Sequence, residues 1–266
     1  MKTKKTVINV ALQKEICELY NQNNSLRSIA RLKNISPNTI KKYLLLNKIK
    51  VKSKNIVYKI KNDDELLIGL YCGIWAGDGT QYLDKGYRIK ICCDSRNEEL
   101  IKFIQNILLK LFNKETSVIK EARHRGMIRF NSKFIYYFVY HYLSFDKNKT
   151  HSISLKKNVD DYSEQFLKGF ILGLMITDGY LKKRFYFNTT SERLANNVLL
   201  ILKKFNFEGH KYTHNRTKFG WKNLHMISLK KINSQNALKF LNKILKEAEY
   251  EEEFFFLKGY NGPVEI

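Results

Sequence analysis

Two glycine ladders, each running into an acidic residue, recur 100 positions apart and constrain the fold of this chain more than any other feature. The first is Gly69, Gly73, Gly77, Asp78, Gly79 within ELLIGLYCGIWAGDGT; the second is Gly169, Gly173, Thr177, Asp178, Gly179 within FLKGFILGLMITDGY. Residues at i, i+4 and i+8 share one helix face, so each segment predicts a helix with a flat stripe free of bulky side chains, against which a second backbone can approach closely. Glycine inside a helix costs about 1 kcal/mol relative to alanine. Three on one face, nearly matched in a second copy, are accounted for by packing helix on helix. An Asp-Gly pair ends both.

The segment after each ladder repeats as well. In YRIKICC, Tyr87, Ile89, Ile91 and Cys93 alternate with Arg88 and Lys90, which predicts a strand with one apolar and one basic face. Asp94 or Ser95 is placed to cap a helix with the stripe Leu100, Phe103, Ile104, Ile107, Leu108 and Leu111. Strand patterns come next at 116–123 and 126–131, then the aromatic run FIYYFVY at 134–140. The second copy offers RFYFNTT as strand and Ser191 as cap of a helix with Leu194, Val198, Ile201, Leu202 and Phe205. HKYTHNR and LHMISLK are its further strands, and a last helix runs from Gln235. Both halves share the order helix, strand, strand, helix, strand, strand, helix, so the aromatic run is helical by position.

The front of the chain is a different module. Residues 12–46 predict three short helices: Leu12, Ile16, Leu19 and Tyr20 line the first, Ser25 caps a second with Leu26, Ile29, Ala30 and Leu32, and Asn34-Ile35-Ser36 turns into a third. Ser36 is its cap and Pro37 its first residue, where a missing N–H does no harm. The stretch SLRSIARLKNISPNTIKKYL resembles the helix-turn-helix of resolvase-like and transcription-factor modules, in which the third helix enters the major groove. That resemblance implies Asn38, Thr39 and Lys42 as nucleic-acid contacts. Lys48, Lys50, Lys52 and Lys54 alternate behind it as a basic linker tracking phosphates, or as a solvated strand.

Composition sets the partner class. Lys+Arg number 48 against 25 Asp+Glu, a formal charge of +23, which points to nucleic acid even after allowing for an AT-rich genome that inflates lysine. The 44% hydrophobic and 13% aromatic content is that of a folded protein, not a disordered one. Cys17, Cys72, Cys92 and Cys93 lack C-x-x-C spacing, which argues against zinc. His210 and His214 share a strand face without completing a metal pattern. The short apolar run in MKTKKTVINVALQKE is no secretory signal, and the ladder segments fall short of the roughly 20 apolar residues a bilayer span needs. The expectation is an intracellular protein, in cytoplasm, nucleoid or organelle, with no membrane partner.

The nonapeptides YCGIWAGDG (Tyr71 to Gly79) and ILGLMITDG (Ile171 to Gly179) resemble the two motifs of single-chain LAGLIDADG homing endonucleases, over roughly residues 62–260. The third, eighth and ninth letters stand as Gly73, Asp78, Gly79 and as Gly173, Asp178, Gly179; the sixth departs, being Ala76 and Ile176. The resemblance implies an α+β fold of two pseudo-twofold-related αββαββα repeats with saddle-shaped antiparallel sheets, preceded by the small all-α module. The expected division is 1–55 for helix-turn-helix and linker, 56–160 for the first repeat and 161–266 for the second.

By the same resemblance the function is site-specific, magnesium-dependent hydrolysis of phosphodiester bonds in double-stranded DNA by a monomer, with manganese as a substitute. Asp78 and Asp178 hold the metal with the carbonyls of Gly77 and Thr177 nearby. Lys149 in SFDKNKTHSIS stands at the position of the basic residue typical of the family near the metals, with Lys147 close enough to be confused with it and Lys258 as a weaker counterpart in the second repeat. Arg88, Lys90, Arg129, Asn131, Lys182, Arg184, Lys211 and Asn215 are the strand-borne DNA contacts. The alternative is a catalytically inactive scaffold of the same fold, an intron-RNA maturase or a DNA-binding regulator. An aspartate at a helix C-terminus opposes the helix macrodipole, so stability alone does not explain either acid.

Overall fold

A computed structural model describes residues 10–22, 24–47, 49, 64–83, 86–121, 124–180 and 184–248. Lys48, Lys50, Lys52, Lys54, Lys182 and Lys258 lie outside the described residues. The chain divides into two compact units, Met1–Val57 and Tyr58–Ile266.

In the first unit, α1 (Val10–Asn21), α2 (Leu26–Lys33) and α3 (Pro37–Leu46) form where the apolar spacing places them. Ser25 Oγ accepts from Ser28 N and Ser36 Oγ from Thr39 N, both at 3.1 Å, so two helix starts are capped by the serines that the sequence offers. Asn34 closes α2 in the left-handed region (φ 50°), which a short polar side chain tolerates. The core is Ile16, Ile29, Ala30, Ile40 and Leu44; Leu32 stands outside it, 64% exposed.

The second unit repeats one topology. The first copy runs α4 (Glu65–Asp78), β1 (Gly79–Tyr82), β2 (Arg88–Asp94), α5 (Glu98–Phe112), β3 (Ser117–Lys120), β4 (Arg125–Asn131), α6 (Lys133–Tyr142). A connection follows with β5 (Leu143–Ser144), α7 (Lys149–Ser152) and β6 (Ser154–Leu155). The second copy is α8 (Glu164–Thr177), β7 (Gly179–Tyr180), β8 (Tyr186–Thr189), α9 (Glu192–Lys204), β9 (Gly209–His214), β10 (Leu224–Leu229), α10 (Lys231–Glu247). Among the described residues the strands form two four-stranded antiparallel sheets of identical order, β1-β2-β4-β3 and β7-β8-β10-β9, beside a β5-β6 pair.

Each sheet buries one face against helices. Ile89, Ile91, Ile128 and Phe130 fill that side of the first sheet, and Phe187, Ile227 and Leu229 that of the second. The aromatic run is helical, as its position in the repeat requires: Ile135, Phe138 and Val139 are buried, and Phe138 meets Phe112 edge-on at 5.1 Å. Two boundaries differ from expectation. The cap of α5 is Asn97, whose Oδ1 accepts from Leu100 N at 3.0 Å, because Asp94 is engaged by Arg96 (2.6 Å). The last helix begins at Lys231, four residues before Gln235, and Ser234 is buried in its first turn, accepting from Phe185 N at 3.0 Å.

Candidate active site

The site is made by the glycine ladders. A methyl group on Gly173 would lie 2.7 Å from Ile74 N and 2.9 Å from Gly73 Cα; one on Gly69 would lie 3.0 Å from Phe166 Cα. Helices α4 and α8 therefore touch backbone to backbone, a separation no side chain permits. At their C-terminal ends a methyl on Gly77 would strike the Thr177 side chain and come within 3.1 Å of Asp178 Oδ2. The approach that starts at Gly69 thus ends with the carboxylate of one helix lying over the terminus of the other.

Lys149 reaches this terminus from α7. Its Nζ donates to the carbonyls of Trp75 (3.0 Å), Ala76 (2.8 Å), Gly77 (3.0 Å) and Gly79 (2.6 Å), and stands 5.0 Å from the centre of the Trp75 ring. Three of those carbonyls belong to the last turn of α4, where backbone donors run out; Trp75 O also accepts from Gly79 N. A cation there also opposes the negative end of the macrodipole. Lys147, the neighbour confusable with it in sequence, is exposed and makes none of these contacts. The connection carrying Lys149 is anchored on the second repeat: Ser191 Oγ donates to Ile153 O (2.6 Å), Thr190 Oγ1 to Thr150 O (2.9 Å), and Leu155 N to Asn197 Oδ1 (2.9 Å). A side chain held by the second repeat thereby closes the helix end of the first.

The electrostatics follow from crowding two acids and one ammonium into a poorly solvated place. Burial, then the charge of Asp178, push the Asp78 carboxyl up to about 7, against the opposing pull of Lys149. The packing around Asp178 desolvates its carboxyl and raises it to about 6 although the residue keeps an exposed edge, and Lys149 again acts the other way. Burial brings Lys149 down to about 8, with both aspartates resisting. Burial also pushes the Cys93 thiol up to about 12 and raises that of Cys92, with Asp78 adding to both, so these neighbours stay neutral and are poor metal ligands.

The donors present suit a hard divalent cation. Two carboxylates raised by their surroundings gain from any cation placed between them, and oxygen is what magnesium prefers. Among the described residues no group of three or more His, Cys, Asp and Glu assembles, so such an ion would complete its shell with carbonyls, water and phosphate. Of the two carbonyls expected to help, that of Gly77 already accepts from Lys149, leaving it one lone pair; the Thr177 hydroxyl turns back onto the Gly173 and Leu174 carbonyls, both at 3.1 Å.

The family model for the LAGLIDADG-like domain matches residues 65–143 and again 165–245, more than half of the chain. The chain belongs to this family. No curated protein matches it in sequence. Among solved structures it is similar to I-DmoI in complex with DNA and calcium, at 15% identity and TM-score 0.50, covering 70% of this chain and 98% of that one. An I-DmoI variant with its target DNA and manganese gives 15% identity and TM-score 0.50 over 66% and 92%. Full-length DUF199/WhiA from Thermatoga maritima gives 15% identity and TM-score 0.48 over 74% and 66%. At these identities the likeness concerns the fold.

In this LAGLIDADG chain the sheet residues expected to meet DNA divide by repeat. Arg88 lies opposite Asn131 and Lys90 opposite Arg129, all on the open face of the first sheet, away from the helices. Arg125, not foreseen, joins them opposite Asp94. The second repeat departs from expectation. Lys211 points to the helix side, its Nζ on Glu192 Oε1 (3.1 Å) and Asn196 Oδ1 (2.8 Å) of α9, so it is not on the open face. Asn215 spends its Oδ1 on Thr217 N (3.0 Å) in a turn, and Arg184 is exposed just before β8. The face that Lys211 leaves belongs to His210, Tyr212 and His214, opposite Ser228, Met226 and Leu224. HKYTH has no apolar alternation to betray which parity faces in; the buried His225, Ile227 and Leu229 of its partner strand carry that signal. In the front module Asn38 and Lys42 are exposed, whereas Thr39 is half-buried with its hydroxyl 2.7 Å from Ser36 Oγ. No helix among the described residues is long and apolar enough to cross a membrane.

Proposed function

We propose that the chain is a site-specific endonuclease that hydrolyses phosphodiester bonds in double-stranded DNA, acting as a monomer with magnesium, or manganese in its place. The observation that carries this reading is the convergence of Asp78, Asp178 and Lys149 at the joined ends of α4 and α8. The I-DmoI structures, by their descriptions bound to DNA with calcium or manganese, support a divalent ion and a duplex partner here.

In this reading Asp78 and Asp178 hold divalent metal with the Gly77 and Thr177 carbonyls beside them, each acid serving one strand. A bound divalent ion supplies charge relief at the scissile phosphate and lowers the pKa of attacking water. Asp78 and Asp178 would supply the carboxylate oxygens that hold the ion and hydrogen-bond water beside it. Lys149, held by the carbonyls at the end of α4, balances the negative charge of the two acids. Residues 1–55 add contacts through Asn38 and Lys42, while 56–160 and 161–266 supply the two DNA-facing sheets.

The test is cleavage of duplex DNA made by joining the sequences that flank the gene, with magnesium present. Wild type should cut it; Asp78→Asn and Asp178→Asn should each abolish cutting and keep binding. Unchanged cutting by both variants overturns the assignment. One observation favours a second reading, a non-catalytic binder of DNA or intron RNA: Lys149 already compensates the acids and holds the Gly77 carbonyl. That reading requires binding without cleavage in magnesium and in manganese.

A further inference from the structure

The open faces of the two sheets are chemically unlike. On the first, cross-strand partners cluster Arg88, Lys90, Arg125 and Arg129, with Asp94 as the carboxylate among them, Asn131 beside Arg88, and one apolar pair, Ile119 opposite Met127. On the second, register places Tyr186, Asn188, His210, Tyr212, Leu224 and Met226 on the corresponding face, and no described strand position there carries Lys, Arg, Asp or Glu. Tyr212 is 53% exposed and Asn188 is exposed, so this face is presented and not covered by the chain's own core. Two cations of the second repeat sit in the β9–β10 connection, where Arg216 lies 4.5 Å over the Trp221 ring and Lys218 4.9 Å over Phe219.

Resting on the duplex-binding reading above, we infer that the two half-sites are read by different chemistry: the four cations of the first sheet select G·C pairs, with Asn131 an A·T reader at its end, and the second sheet selects A·T pairs. Arginine and lysine match the O6 and N7 acceptors of guanine, and they release counterions when they meet phosphate. Asparagine matches the N6 donor and N7 acceptor of adenine, and apolar side chains contact the thymine methyl group. Asn188 and Met226 are directly opposite one another on β8 and β10, which brings both parts of an A·T reader to one place. The target is therefore compositionally asymmetric, and most sheet-borne salt dependence belongs to the first half.

The full chain and a library of duplexes randomised across the bound segment test this, by sequencing the molecules retained. The expected consensus has G·C pairs concentrated in one half and A·T pairs in the other. Arg129→Ala should relax preference in the G·C half alone and make the log-log salt slope shallower by about 1. Asn188→Ala combined with Met226→Ala should weaken discrimination in the A·T half by about tenfold and leave the slope unchanged. All three substitutions lie on the open faces of the two sheets, and circular dichroism checks that the fold survives. Halves of equal composition, or an A·T half indifferent to Asn188 and Met226, overturn the inference while leaving duplex cleavage standing. Tighter binding to a single strand than to its duplex also overturns it, reassigning the rings to base stacking. A chain that retains no duplex overturns the proposed function with it.

Discussion

At the scale of residues, the two acids and the lysine make stability depend on pH in opposite senses. Asp78 and Asp178 rise from 3.8 to about 7 and about 6, so between those limits the folded chain holds more protons than the unfolded one, and stability falls as pH increases. Lys149 drops from 10.5 to about 8, so between these values the folded chain holds fewer protons and stability climbs with pH. For this trio the metal-free protein is least stable between about pH 7 and 8. Urea titrations with chelator at about pH 5, 7.5 and 9.5 should show that minimum, and Asp178→Asn should flatten its acid side. Lys149→Met at about pH 7.5 removes the donor that the Ala76 and Gly77 carbonyls share and takes the compensating cation from both acids. It should lower stability by about 2–4 kcal/mol in the same titration.

At the scale of elements, the α4–α8 contact has no tolerance, because what a new side chain meets is backbone. Gly173→Ala would gain about 1 kcal/mol of helix propensity, but its methyl would stand 2.7 Å from Ile74 N, and neither helix can yield without moving an acid. Overpacking of this sort destabilises by about 1–3 kcal/mol, so the urea midpoint should fall. Adding Gly73→Ala should cost less than its separate effect, since the first substitution has already parted the helices. This contact was legible in the sequence because a glycine every fourth residue has few other uses. Ser25, Ser36 and Ser191 were legible as caps for an equally local reason. The α5 start was not, since Asp94, Ser95 and Asn97 are all competent caps; Arg96 engages Asp94, and Asn97 is the one that takes Leu100 N. Nor could the sequence show that Lys149 grips four carbonyls some 70 residues away, or that Lys211 faces α9. Both depend on which elements meet and on strand parity, and HKYTH leaves parity open.

At the scale of the whole molecule, a charge of +23 is shared between a helical module and two repeats, which predicts how binding and cutting separate. The acids and Lys149 all lie within Tyr58–Ile266, and exposed Asn38 and Lys42 lie on α3 of the other unit. Residues that contribute only contacts should change affinity and leave the chemical step alone. Lys42→Ala should therefore weaken duplex binding severalfold and make the log-log salt slope shallower by about 1, the signature of one phosphate contact. Asn38→Ala should weaken binding with no change in slope if it meets a base edge, because no counterion is released there. Binding isotherms at several salt concentrations measure both effects, and single-turnover cleavage at saturating DNA should give wild-type rates for each variant. A folded Lys42→Ala protein that no longer cuts at saturation would place the front module within the catalytic step and overturn the separation.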